Sequence, residues 1–555
     1  MALFRFNRNQ TKEDVNIKKD NSSEKSYVNY LIAGGGTGAM VGMTYIGMMD
    51  AYAMYSGKDD IKLNIILPEV DQLCTEAKML KRTSEINMKL RAGLFRSSDT
   101  TVQSIQLADT MKSKGAQTYY SLDEPLFSKE LFQPKRELDR PIDGFYRIST
   151  TAAMAAPLCN KKFISEIDNV CREIADASNN KAVRIGVVAT TWGSEGQHFL
   201  NSAIPEIVKK TREILEKDKG VRGKEADSHL REHLETALFL VGPCNRFPTQ
   251  RNLDDDIEAR NIGFLQFMPE QLRNSVDKYF LFDHDNGTVS ADDIILSNDQ
   301  KKHFTALELD VAYTIFMYYS GVISRIDTQG NVITTLYGTP GNDKTDRNSM
   351  TLKSDMWRAL DSRLRWDACL FYVIRPELGS ETYKVEEDEW KNSSFVSTYY
   401  RRAKNITYIP DLDTIRSDIY KDYIQLIQRE EDFAKMMRDI AFTRTKWDEQ
   451  DNERVYIDRN NDTKLYSFDD IERLSPLNKT IQKLINENKL SEMNQPNYSY
   501  ALDSLTTKIE GYNYDTRLTV REANARLKKR MGRNMSFLQV AIELFNICKV
   551  TGGKQ

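Results

Sequence analysis

Apolar residues in this chain fall into short runs cut off by glycine, proline and charge, and these runs alternate with longer stretches at helical spacing. Tyr27–Ile32, Leu63–Leu67, Val183–Ala189 and Glu235–Pro243 are too short for helices and are apolar at neighbouring positions, the pattern of strands buried on both faces of a parallel sheet. Between them, 40–55, 161–177 and 202–215 carry apolar residues at a 3.6-residue period, and His303–Ser320 is a strongly apolar helix. The alternation predicts an α/β fold, a mainly parallel sheet flanked by helices, with a mixed α+β middle region. Tyr279–Phe282 reads as a further short strand, and Gly321–Ile326, Asn331–Leu336 and Leu370–Ile374 as later ones. From Thr75 to about Pro141 the mixed, charged pattern reads as helices and loops. The boundaries that follow are a polar, disordered tail at 1–26, a main domain at 27–325, second-domain strands at 326–376 and a mostly helical C-terminal extension at 377–555.

Two glycine-rich turns stand where a strand gives way to a helix. Ala33-Gly34-Gly35-Gly36-Thr37-Gly38-Ala39 follows the first strand, and Thr190-Thr191-Trp192-Gly193-Ser194-Glu195-Gly196-Gln197 follows the strand at 183–189. Glycine permits positive φ and close approach to backbone amides, and the helix start behind it offers unpaired N–H groups at the positive end of a dipole. Such a corner holds a phosphate without a charged side chain. It also arises for purely steric reasons, so a single corner has two readings and a pair of them favours a nucleotide.

Composition narrows the partners. The chain has 555 residues, enough for a large core, and 78 Lys+Arg against 81 Asp+Glu leave a net charge of -3, so no global field recruits nucleic acid or an anionic membrane. Apolar runs fall short of the roughly 20 residues of a membrane span, and the start has no signal-peptide hydrophobic region. Six cysteines without a C-x-x-C pair read as reduced thiols in a cytoplasmic protein. The basic stretch Arg521–Arg533 lacks interleaved aromatics and reads as a solvated helix face.

Taken together, the two turns resemble the tubulin and FtsZ superfamily, in particular its divergent bacterial FtsZ-like branch. In that family a loop after the first strand and a glycine-rich signature after the fourth surround the phosphates of GTP. Gly34, Gly35, Gly36, Thr37 and Gly38 match the first loop, and Gly193 to Ile207 is similar to the signature in length and placement, keeping Gly193 and Gly196 but placing Ser194, Glu195, Gln197 and His198 at other positions. Ile65–Leu73 resembles the ending of the family's second strand, and the similarity covers about 27–325. The resemblance implies GTP, with Mg2+ as the companion ion to test, held by these loop residues including Ser194, with Glu69 or Asp71 reaching ribose or metal. It also implies self-assembly into an oligomer or filament, or assembly with other proteins. Hydrolysis in the family needs acids after the central helix; the nearest here are Glu308, Asp310 and Asp327, without the usual Asn-x-Asp-x-x-Asp run, so the chain is at most a weak GTPase or a scaffold that no longer turns over.

Three rival motifs need weighing. Gly34-x-Gly36-x-x-Ala39 also satisfies a relaxed dinucleotide fingerprint of a Rossmann-type, NAD-dependent enzyme, in which an acid closes the second strand; Pro68 stands there and Glu69 follows. His229-Leu230-Arg231-Glu232-His233 spells an inverted zinc-protease motif in a charged stretch that reads more simply as a solvated helix face, so no metal site is assigned. Asp458–Asp462 reads as a hairpin tip.

Overall fold

The computed structural model describes residues 26–57, 61–70, 74–92, 96–107, 149–178, 180–191, 193, 196–242, 275–282, 306–320, 344–374, several positions within 422–437, 498–500, 518, 520–531 and 535–550. The strands are β1 (Ser26–Ala33), β2 (Leu63–Glu69), β3 (Thr100–Gln106), β4 (Lys181–Thr190), β5 (Leu234–Val241), β6 (Lys278–Phe282) and β7 (Tyr498–Tyr500). They form one sheet in the order β3-β2-β1-β4-β5-β6-β7, and every neighbouring pair is parallel. The α/β architecture and parallel sheet expected from the sequence are present. The helices are α1 (Gly35–Ser56), α2 (Thr75–Ala92), α3 (Ser149–Glu166), α4 (Asp168–Asp176), α5 (Asn201–Asp218), α6 (Lys224–His233), α7 (Ala306–Tyr319), α8 (Lys344–Ile374), α9 (Val520–Arg530) and α10 (Phe537–Cys548).

Alternate strand residues feed two cores, because successive side chains leave opposite faces of a sheet. Leu31, Ala33, Leu63, Ile65, Phe239 and Phe280 meet α1, α2, α7 and α8, whereas Ile32, Ile66, Val187, Leu238 and Leu240 meet α3, α4, α5 and α6. A third core, built from Trp366, Leu426, Leu527, Phe537 and Leu544, closes over α2 and the end of α1. The C-terminal segments thus pack onto the sheet domain, and β7 extends its edge beside β6.

The structure corrects several expectations. Leu370–Ile374 is the tail of the long helix α8, not a strand; a short apolar run has no period of its own, and the helix preceding it decides the outcome. A strand, β3, occupies part of the stretch read as helices and loops, concealed because its sequence Thr-Thr-Val-Gln-Ser-Ile-Gln is mostly polar. Helix α1 begins at Gly35 rather than near Met40, so the glycines form its first turn; burial overrides their poor helix propensity. His233 is buried, with Nδ1 on the Lys181 carbonyl, rather than on a solvated face. The expected tail, the strands at 321–326 and 331–336, and the turn at 458–462 lie outside the described residues.

Candidate functional site at the carboxyl ends of the strands

From β1 the chain moves outward to β2 and β3, then returns to β4 on the other side of β1. The order therefore reverses between β1 and β4, and in open α/β sheets the crevice outside the carboxyl ends at such a point is where ligands bind. The two strands are in register, Ile32 opposite Val187 and Ala33 opposite Val188, so the corner after Ala33 and the corner after Thr190 stand side by side. The sequence-predicted turns are brought together at this place.

The first corner is open to anions on physical grounds. Gly34 is extended (φ -103, ψ 162) and supplies no side-chain cap, and the first turn of α1 contains no acid, which leaves the helix's leading N–H groups uncapped by carboxylate. Gly35 takes φ 66, a left-handed conformation that favours glycine. Gly38 has a different reason: a Cβ there would lie 2.8 Å from the Ala33 carbonyl carbon, so glycine lets α1 start tight against β1. Thr37 is buried within the turn.

The second corner is folded back on itself. A Cβ on Gly193 would meet the Thr190 hydroxyl at 2.4 Å, and one on Gly196 would meet the Thr190 backbone oxygen at 2.4 Å, so both glycines are required for closure of the loop. The Gly193 N–H donates to the Thr190 hydroxyl (3.2 Å), which commits it within the corner. A π-helical turn, Gly196–Leu200, then leads into α5, again with no acid in either first turn. Ser194 lies outside the described residues, as do Trp192 and Glu195.

Beside the crevice, Glu69 is the last residue of β2 and is buried. Its carboxylate accepts from Gln106 Nε2 (2.5 Å) and the Ser104 hydroxyl and pairs with Lys81, so three partners from two elements fix its orientation. A carboxylate already neutralised by a lysine is a poor ligand for Mg2+. Asp71 and Asp327 lie outside the described residues.

Glu308 and Asp310 are buried on α7. That helix is anchored at its far end, where the Tyr319 hydroxyl donates to the Tyr30 carbonyl (2.5 Å) and accepts from the Gly186 amide (3.0 Å). At a rise of about 1.5 Å per residue its first turn lies roughly 15 Å from that anchor. Phe316 near the end of α7 lies against Tyr52 near the end of α1 (ring centroids 5.2 Å), so the two helices run the same way and Glu308 and Asp310 lie toward the end of the sheet where α1 starts.

Sequence reasoning missed the polar residues of α3 and α5. The Asn160 amide donates to the Ser202 hydroxyl (2.7 Å), and Lys162 donates to the Gln106 carbonyl (2.5 Å), so α3 spans from the end of β3 to the start of α5. No motif marks these residues; only the tertiary fold gathers them. The His229 and His233 rings lie 4.5 Å apart, but each places one nitrogen on a backbone carbonyl, Ile174 and Lys181, at the other end of the sheet. Among the described residues no cluster of three His, Cys, Asp or Glu side chains is placed to hold a metal ion, and no helix is long and apolar enough to cross a membrane.

The chain matches no protein-family model, no curated protein and no solved structure.

Proposed function

We propose that this chain binds a nucleotide by its phosphates in the crevice between β1 and β4, with GTP as the ligand and assembly with itself or with partner proteins as the output. One observation carries the reading: the two glycine corners sit on adjacent, in-register parallel strands at the point where the strand order reverses. The uncapped, acid-free start of α1, with Gly35 at φ 66, supplies the anion-binding backbone. Gly34, Gly35, Gly36, Thr37 and Gly38 then face the phosphates, while Gly193 and Gly196 shape the opposite wall. Preference for guanine and the assembly step rest on the family resemblance of the loops.

A second reading has its own observation. Glu69 ends β2, the position from which an acid holds a ribose in dinucleotide-binding folds, which favours NAD. Equilibrium binding of labelled GTP, ATP and NAD, followed by sedimentation and phosphate release at rising protein concentration, separates the two. Saturable GTP binding with nucleotide-dependent sedimentation is the expected result. Binding of NAD alone would replace it with the dinucleotide reading, and no binding of any nucleotide would leave a scaffold.

A further inference from the structure

We infer that Asn201, with Asn160 beside it, forms an uncharged subsite for the nucleoside part of the ligand; the inference rests on the nucleotide reading above. Asn201 is 4% exposed, yet neither its Oδ1 nor its Nδ2 has a hydrogen-bond partner. Asn160 is 9% exposed and spends its amide on Ser202, whose hydroxyl donates onward to the Phe199 carbonyl (2.7 Å), while Asn160 Oδ1 is unpartnered. A buried amide without partners is costly and rare, and Asn201, next in the chain to the Ser202 that Asn160 holds, calls for an occupant that the free Asn160 Oδ1 would help to bind.

Their place in the fold says what kind. Asn201 opens α5 directly after the second glycine corner, and Asn160 lies on α3 two residues from Lys162, which is tied to the end of β3. Both stand on the face of the sheet opposite α1, across the crevice from the amides expected to face phosphate. Among the described residues the unsatisfied set here is two carbonyl oxygens and one NH2 group, and the cation nearest in the chain, Lys162, is engaged with the Gln106 carbonyl. A phosphate offers acceptors only and would face those carbonyls unfavourably. Two carbonyl oxygens need two donors and the NH2 group needs an acceptor, a set that the paired hydroxyls of a ribose, or the edge of a base carrying an amine beside an acceptor, can supply.

The test compares GTP, dideoxy-GTP, inosine triphosphate and pyrophosphate binding to the wild-type chain, Asn201→Leu and Asn201→Ala, the alanine variant serving if the leucine does not fit. The expected result is GTP binding weakened about tenfold in both variants with pyrophosphate binding unchanged, and a matching loss in the wild type for whichever analogue lacks the contacted donor. Variants that bind GTP like the wild type, a parallel loss for GTP and pyrophosphate, or two analogues that both bind like GTP would overturn the subsite while leaving the phosphate reading intact. A wild-type chain that binds neither GTP nor pyrophosphate would overturn both.

Discussion

Helices α1 and α5 leave the two glycine corners on opposite structural plans. α5 follows the ordinary pattern of a surface helix, burying Ala203, Ile204, Ile207, Thr211, Ile214 and Leu215 and leaving its lysines and glutamates toward solvent. α1 is buried nearly all round and carries one charge, Asp50, which is fully buried. The difference follows from what covers each helix: α5 has the sheet on one side and water on the other, whereas α1 lies between the sheet and a further layer supplied by residues after 343. The helix that starts at the first corner is therefore covered over its later half by residues after 343.

That cover is electrostatic as well as apolar. Asp50 accepts from Asn87 Nδ2 (3.0 and 3.1 Å) and from the Ser98 amide (2.8 Å), and Arg363 and Arg429 each approach it at 3.9 Å. Arg363 donates to the Gly47 carbonyl (2.5 Å) and makes a two-point contact with Glu430 at 2.9 and 3.1 Å. Glu430 also accepts from Arg429 (2.5 Å). Burial opposes the charge on Glu430, but the two guanidinium groups hold its pKa down to about 2. Asp367 is pushed the other way, first by burial and then by the Glu430 charge, well above the carboxylate range. A hydrogen bond from the neutral acid to the Glu430 carboxylate favours the same protonated form.

The sharpest way to break this contrast is Arg363→Ala. It strands two buried carboxylates, and a loss of about 3–5 kcal/mol is expected in denaturant unfolding at neutral pH, the cost of removing one partner from a buried ion network. A loss no larger than that of a surface pair would show that the C-terminal layer is not part of the folding unit of α1.

Asp367→Asn probes the same cluster more gently. An acid whose folded pKa is raised favours the protonated state, so its contribution is full below the unfolded pKa and is lost as pH rises toward the folded one. Asparagine keeps a donor for Glu430 and does not titrate. Thermal unfolding should show the variant gaining on the wild type above about pH 4 by up to about 1.4 kcal/mol per pH unit. Glu430 works with the opposite sign: its stabilisation is present above its unfolded pKa near 4.5 and is lost as pH falls toward about 2. A difference between variant and wild type that is flat with pH would remove the shared-proton account.

The smallest effect belongs to the α4–α5 side. Arg172 pairs with Asp168 (2.7 Å) and Asp218 (3.1 Å) on an exposed surface, where solvent and salt screen the attraction. Arg172→Ala should leave the unfolding midpoint unchanged, and a marked drop would mean that this face is held by charge too.

Much of the sheet was legible in the sequence because β1, β2, β4 and β5 are buried on both faces and read as continuous apolar runs closed by glycine or proline. The two glycine corners were legible for the same reason, as punctuation after those runs. β3 and β7 were not, since polar or three-residue strands carry no pattern and exist only by pairing with a neighbour. Local sequence also set the right residue types at Glu69 and Gly35 without revealing that one is engaged by Lys81 and the other lies at positive φ. Adjacency of the corners, the unpartnered Asn160 Oδ1 and Asn201 amide, and the Arg363 network joining Gly47 to Glu430 were decided by tertiary structure alone. Each depends on contacts between residues distant along the chain, and a burial pattern records only that a side chain is covered, not by what.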